Sequence, residues 1–465
     1  MLSSKIDYVN YIFSIFVCDN EPYIENIMKT LFPLFILLLS IFVLPASAQN
    51  YPHQSDLLWV TTPNHTDWLY KTGEKATVTV AIYEFGMLQD GLEIAYRIGQ
   101  DNLDPDTEGT VKLKGGKAEI VIGTMKKPGF RDCQMSVKVK NETYKHHIKV
   151  GFSPEKIEPY TQMPKDFNAF WKEALEEQAK CPMNPEVTFV PEYSSDKVDC
   201  YLVKLQCYQP GRFVYGYLSK PKKPGKYPVV VCPPGAGVKP MNPLKTMFYV
   251  ESDCIRFDME IHGINPSLDA ENYKDISRAF GDHHPNGYLA NGINDRDTYY
   301  MKKVYLACIR AVDYVSTLPE WDGKNMIAQG GSQGGALAII LSGLDSRITA
   351  CVANHPALSD MAGYVEKGRT GGYPHFGRKY KGISLTPEVI RILAYYDVVN
   401  FARRVTVPVF MTWGFNDNVC PPTTSYAVYN VINSPKEALI TPVNEHWVST
   451  NTRYVQLDWI KAHLK

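Results

Sequence analysis

Neither sign of charge predominates in this chain of 465 residues. Lys and Arg number 49, Asp and Glu also 49, and the isoelectric point is about 7.1. The basic footprint that nucleic acid or an anionic membrane surface demands is missing, so neither partner is expected. Cysteine shows no C-x-x-C spacing among its ten positions, which argues against a zinc site and against a dense disulfide framework. Internal repeats and low-complexity tracts are lacking as well. What is present is the balance of a globular protein with ample core: 45% apolar and 21% charged residues. Thirty Tyr and seven Trp would suit stacking on sugar rings, although core packing and strand propensity account for most of them.

The run "LFPLFILLLSIFVL" at residues 31–44 is too short to span a bilayer and fits the apolar segment of a secretory signal. Ala46-Ser47-Ala48 follows, the small-x-small pattern of a cleavage site, so cleavage after Ala48 is expected. Upstream, Asp19, Glu21 and Glu25 replace the basic stretch a signal needs, whereas Met28-Lys29-Thr30 supplies it. Residues 1–27 are therefore read as a spurious extension and 28–48 as the signal peptide, giving an exported chain (periplasmic or secreted) without a membrane anchor. Removing Cys18 leaves nine cysteines, an odd number. One disulfide, for instance Cys200 to Cys207, is compatible with them.

Between residues 49 and 152 the texture is β-like. "KATVTVAIYEF", "LEIAYRIG", "GTVKLKGGKAEIVIG" and "CQMSVKVKNETYKHHIKVGF" alternate apolar and polar residues and are separated by turn signals. This spacing predicts a small Ig-like β-sandwich domain. After it, "KDFNAFWKEALEEQAK" places Phe167, Phe170, Trp171 and Leu175 on one helical face, with Asp166 at the N-cap. "YPVVVCPP", "CIRFDMEIHG", "NMIAQGGS", "ITACVANHP" and "VPVFMTWGFND" are continuous apolar runs, as expected of parallel strands covered on both faces. They alternate with helical stretches, so residues 153–465 are predicted to form one α/β domain.

The chemistry centres on "GGSQGG" at 330–335. Gly330-Gly331-Ser332-Gln333-Gly334 fits G-x-S-x-G between a strand and a small-residue helix, an elbow that exposes a serine at a strand's carboxyl end. Glycine-rich turns of this kind also bind phosphate, so the serine needs support. A hydroxyl is a poor nucleophile until a histidine, oriented by a carboxylate, takes its proton. Asp417 lies in the loop after "VPVFMTWGF", and His446 ends "ALITPVNEH", the last plausible strand. Their separations, 85 and 29 residues, suit successive strand ends of an α/β-hydrolase sheet. Other histidines compete: His262 ends a strand, His355 follows another, and His283 and His284 sit in a polar loop. None follows the acid where this fold requires the base. The oxyanion hole is expected from the backbone N–H of Gln333 and one from the loop "CPPGAGVKP", at Gly235 or Ala236. This chemistry calls for no metal and no cofactor.

From about residue 154 onward the chain resembles the acetyl xylan esterase and cephalosporin-C deacetylase group, carbohydrate esterase family 7. The resemblance rests on "PKDFNAFW", "NGINDRDTYYMKKVYLACIRAVDYV", "GGSQGGALA", "YYDVVNFARRVTVPVFMTWGFNDNVCPPTTSYAVYN" and the late histidine. It implies nucleophile, acid and base at Ser332, Asp417 and His446. Where the family carries Arg-Gly-Gln this chain reads His262-Gly263-Ile264, and where it carries His-Gly-Tyr at the oxyanion loop this chain reads Pro234-Gly235-Ala236. Trp447 replaces the family's glutamate after the histidine. These departures imply an acyl pocket open to a group somewhat larger than acetyl. The family forms closed hexameric rings; an added sandwich would prevent or change that assembly, and a homo-oligomer stays open.

The expected activity is removal of acetyl groups from acetylated xylan or xylo-oligosaccharides by a serine esterase. Trp413, Phe415, Trp447 and His262 are candidates for substrate contact. The alternatives are a feruloyl or glucuronoyl esterase, a prolyl-oligopeptidase-like peptidase, and a catalytically inactive carbohydrate-binding protein. About 100 residues are too few for the propeller usual in the peptidase.

Overall fold

A computed structural model describes residues 56–281, 287–380 and 382–465. The expected signal peptide and upstream extension lie outside the described residues, as do His283 and His284. Nine strands come first: β1 (Leu57–Pro63), β2 (Leu69–Tyr70), β3 (Ala76–Glu84), β4 (Met87–Leu88), β5 (Glu93–Gln100), β6 (Pro105–Lys112), β7 (Ala118–Gly123), β8 (Gly129–Val139) and β9 (Glu142–Phe152). Strands β1, β4 and β7 assemble around β3, and the others form a second sheet in the order β2-β9-β8-β5-β6. The alternation in β3, "ATVTVAIYE", turns Val78, Val80 and Ile82 inward. They share one apolar core with Ile94, Ile98, Ile148 and Val150 of the other sheet.

The remaining strands form a nine-stranded sheet in the order β10-β11-β12-β14-β13-β15-β16-β17-β18. Its members are β10 (Glu186–Phe189), β11 (Val198–Cys207), β12 (Gln209–Pro221), β13 (Tyr227–Cys232), β14 (Ile255–Glu260), β15 (Trp321–Gly331), β16 (Ala350–Asn354), β17 (Val409–Trp413) and β18 (Lys436–Ile440). From β14 through β13 to β18 all pairings are parallel, while β10, β11, β12 and β14 pair antiparallel. Strands β16 and β17 are buried at every position, which explains their unbroken apolar sequence. After β13 the chain adds β14 on one side and then β15 on the other. The sheet order therefore reverses there, opening a crevice at the carboxyl ends of β13 and β15.

Among the described residues six longer helices accompany this sheet: α1 (Phe167–Ala179), α2 (Ala270–Gly281), α3 (Tyr300–Val315), α4 (Gln333–Leu344), α5 (Pro422–Val431) and α6 (Thr450–Ala462). Helix α1 buries Phe167, Phe170 and Trp171 as expected, with Leu175 at the margin. Asp166 is its N-cap residue but makes no side-chain cap. Its carboxylate instead accepts from Arg296 Nη1 at 2.7 Å and from the Tyr395 hydroxyl. Among the described residues no helix is long and apolar enough to cross a membrane.

All nine described cysteines are free and buried. A bridge between Cys200 and Cys207 is not formed. Seven residues apart along β11, they stand roughly 20 Å from one another, several times the span of a disulfide.

Candidate active site

Ser332 sits between β15 and α4 with φ 59° and ψ −123°, a conformation that L-residues adopt only where the surroundings impose it. Two glycines make the turn feasible. A Cβ at Gly330 would lie 2.4 Å from the Gly334 backbone, and one at Gly334 would lie 2.4 Å from the Pro233 carbonyl oxygen. The Ser332 N–H donates to the Asn354 carbonyl at 3.0 Å, and the Ser332 carbonyl accepts from Ala357 N–H at 3.0 Å, so the elbow is anchored to the end of β16.

Asp417 lies in the loop four residues beyond β17, fully buried. Its Oδ1 accepts the N–H groups of Val419 (2.7 Å) and Cys420 (2.8 Å), and its Oδ2 lies 2.7 Å from His446 Nδ1. Burial alone would raise the carboxyl. The hydrogen bond and charge of His446, with His355 and the Cys420 N–H, reverse this and leave Asp417 below the usual carboxylate range. An ionised carboxylate can only accept, so Nδ1 of His446 carries the hydrogen and Nε2 is left as the basic nitrogen. His446 itself is not at the end of a strand, because β18 stops at Ile440 and the histidine follows in a loop. Pro422 begins α5, with Pro421 at its N-cap, and the two prolines end the loop that carries Asp417.

Ser332 and His446 line one cavity of about 670 Å³ at the carboxyl ends of β13 and β15. Gly235, His262, His355 and Trp447 line it too. The Gln333 N–H belongs to the first turn of α4, where no intrahelical acceptor exists. In the facing loop the Gly237 N–H is committed to the Tyr288 hydroxyl at 3.2 Å, and that hydroxyl is 2.7 Å from Oε1 of Gln333. Nothing in the sequence singles out Tyr288, which is 45 residues from Gln333.

Two expected substrate contacts fail. Trp413 is 0% exposed and packs against Tyr426 and Tyr429, and Phe415 is 1% exposed and packs edge-on against Phe130. Neither lines the cavity, since β17 is buried at every position and Phe415 packs into the core just beyond it. Trp447 is 51% exposed at the mouth. His262 faces the cavity while its Nδ1 pairs with the Tyr300 hydroxyl at 2.8 Å. Burial lowers His262 to about 3, assisted by the Lys303 charge, so it remains neutral near pH 7.

His355, set aside in the sequence as a competing base, packs against His446 at 4.3 Å between ring centroids with the ring planes tilted by 47°. Burial, then the neighbouring His446, lowers it to about 4. His355, Asp417 and His446 offer ligand atoms within 4.8 Å of one another.

A doubly covered, largely parallel sheet with a serine elbow and an Asp–His pair beyond later strands is an α/β-hydrolase. The sequence profile of the acetyl xylan esterase (AXE1) family matches residues 154–463, and the chain belongs to that family, as a carboxylic ester hydrolase. It is 56% identical over 438 residues to the acetyl esterase Axe7A of Xylanibacter ruminicola, covering 94% of this chain and 97% of that one. An acetyl xylan esterase structure from Paenibacillus sp. R4 is similar at 28% identity and TM-score 0.59, over 67% of this chain and 98% of that one. Acetyl xylan esterase 1 from Thermoanaerobacterium sp. JW/SL YS485 shares the fold at TM-score 0.57 and 23% identity, over 66% and 96% of the two chains.

Proposed function

We propose that this chain is an exported serine esterase that removes acetyl groups from acetylated xylan or xylo-oligosaccharides, with Ser332 as nucleophile, His446 as base and Asp417 as the group that orients it. The observation that carries the reading is the 2.7 Å contact between His446 Nδ1 and Asp417 Oδ2, with His446 on the same cavity as a serine held at positive φ. Export rests on the signal-like segment that ends at Ala48. Residues 49–152 are taken as a separate β domain and 153–465 as the catalytic domain.

In this reading Oγ of Ser332 attacks the acetyl carbonyl carbon while His446 Nε2 takes its proton. The carbonyl π pair moves onto oxygen, and the oxyanion is held by the N–H of Gln333 and that of Ala236 or Gly235. On collapse, the pair returns, the bond between the acyl carbon and the sugar oxygen breaks, and that leaving oxygen receives the proton from His446. Water, deprotonated by the same nitrogen, then attacks the acetyl-serine, and a second collapse releases acetate and restores Ser332. Trp413 and Phe415 are enclosed in the core, so of the three aromatic candidates for a feruloyl site Trp447 alone lines the cavity.

Acetate release from acetylated xylo-oligosaccharides by residues 49–465 tests this, beside Ser332→Ala and with feruloylated and peptide substrates in parallel. Release lost in the variant supports nucleophile and substrate together. Activity confined to another ester would keep the nucleophile and overturn the acyl group, and inactivity on every ester would overturn the enzymatic reading.

A further inference from the structure

The family profile begins at residue 154, so strands β1 to β9 are additional to it. Their side chains reach the two loops that carry Asp417 and His446. Lys149 of β9 is 0% exposed, and its ammonium donates to Oδ1 of Asp101 (2.7 Å) and to the main-chain carbonyl of Asp417 itself (2.7 Å). The Lys149 N–H donates to Oδ1 of Asn416 at 2.9 Å, and Asn416 Nδ2 donates to the Val443 carbonyl at 3.3 Å, three residues ahead of His446. Two positions earlier on β9, His147 Nε2 lies 3.7 Å from Glu445 Oε1. On the far side, Oδ2 of Asp101 accepts the Thr423 hydroxyl at 2.9 Å in the first turn of α5, and the Thr370 hydroxyl donates to the Asp101 carbonyl.

An ammonium and a carboxylate withdrawn from water are costly, and apolar packing would join the two parts of the chain at less expense. What polar contacts add is direction, because each donor is satisfied in one geometry only. Here that geometry is spent on the main chain at Asp417 and, through Asn416, on the segment leading to His446. A Cβ at Gly414 would fall 1.9 Å from the Asn444 carbonyl oxygen, so the two loops are also pressed together.

We propose that Lys149 is a positioning residue for the catalytic pair, and that β1 to β9 act as a clamp holding the acid and base loops in register. The proposal rests on Ser332, His446 and Asp417 being the triad. It assigns the N-terminal sheets to catalysis through the loops they hold, rather than to capture of polysaccharide.

The test uses Lys149→Met, the double variant Lys149→Met/Asp101→Leu, the surface control Arg97→Ala, and Asp417→Asn. Steady-state hydrolysis of p-nitrophenyl acetate and of acetylated xylo-oligosaccharides is measured, with thermal midpoints and the downfield proton NMR signal of the His446 Nδ1–H. Removing Lys149 alone strands a buried carboxylate and threatens the fold, whereas the double variant leaves an apolar pair and is expected to recover the thermal midpoint. In both, kcat should fall about 10- to 100-fold with KM within about twofold, as a small displacement of a catalytic group requires. The downfield signal should move or broaden, and Arg97→Ala should leave all of these unchanged.

Recovery of kcat along with the midpoint in the double variant would overturn the proposal, since Lys149 would then serve only to neutralise Asp101. A rise in KM on the oligosaccharide at unchanged kcat would overturn it in favour of substrate capture by the sheets. Full activity in Asp417→Asn would instead remove the triad reading on which it stands, an outcome distinct from failure at Lys149 alone.

Discussion

The Tyr288 hydroxyl lies 2.7 Å from Oε1 of Gln333 and 3.2 Å from the Gly237 nitrogen, so one phenol joins the two loops that bracket Ser332. Burial pushes this phenol far above its ordinary range, so it stays protonated, accepting from Gly237 and donating to Gln333. Tyr288→Phe leaves the half-buried Gly237 N–H and the buried Gln333 amide oxygen without that partner, at about 1–3 kcal/mol. A lower thermal midpoint is expected, together with a fall in kcat of about tenfold as the proposed oxyanion donors drift. Steady-state kinetics of the folded variant on an acetyl ester check it, and an unchanged kcat would show that the loops hold each other without the phenol.

Gly334 is set by contact rather than by dihedral freedom, because its Cβ position lies 2.4 Å from the Pro233 carbonyl. Gly334→Ala must push the "CPPGAGVKP" loop away from the elbow. A stability loss of about 1–3 kcal/mol is expected from the overpacking, measured by urea unfolding. Activity should fall further than the loss of folded protein explains.

The two tryptophans considered for substrate contact should separate cleanly. Trp413→Ala empties a core site between Tyr426 and Tyr429 and is expected to cost about 3–5 kcal/mol. Trp447→Ala, at the exposed mouth, should leave the thermal midpoint nearly unchanged and raise KM for acetylated xylo-oligosaccharides. Equal KM values for wild type and Trp447→Ala would remove that residue from the substrate path.

His375 offers a pH test. Its Nδ1 pairs with the Tyr364 hydroxyl at 2.8 Å and its Nε2 with the Val419 carbonyl at 3.0 Å, and burial, then the Lys379 charge, lowers it to about 4. As pH falls below the ordinary value of about 6.5, the unfolded chain binds a proton that the folded chain refuses until about pH 4. This group therefore withdraws stability on acidification through that window, at about 1.4 kcal/mol per pH unit. Glu260, pushed up to about 7 by burial, which outweighs the lowering effect of three backbone N–H groups, acts in the opposite sense between pH 7 and about 4.5, so a single-site comparison is needed. His375→Gln keeps a donor and an acceptor without a titrating proton. Its urea midpoint should fall less than that of the wild type between pH 6.5 and 4.

Much of the candidate site was legible because its chemistry is local. The glycines around Ser332 announce an elbow in six residues, and Asp417 and His446 each follow an apolar run in the order that the sheet uses. The apolar runs also disclosed which strands are covered on both faces, since only uniformly apolar side chains tolerate that position. β1 escaped notice because only its end residues, Leu57 and Pro63, are buried, so its pattern carries little signal.

The sequence by itself determined the class of sheet and the serine elbow, and it offered a carboxylate and a histidine in the order that the proposed triad uses, because each follows from side-chain type and short-range periodicity. Tertiary structure alone decided that Trp413 and Phe415 face the core and Trp447 the cavity, since an aromatic residue near a strand end carries no mark of which neighbours will cover it. It also decided that Tyr288 meets Gln333 and that Lys149, 268 residues away, meets the carbonyl of Asp417. Those contacts depend on how distant strands are stacked, and a hydrogen bond between residues so far apart has no periodicity to announce it.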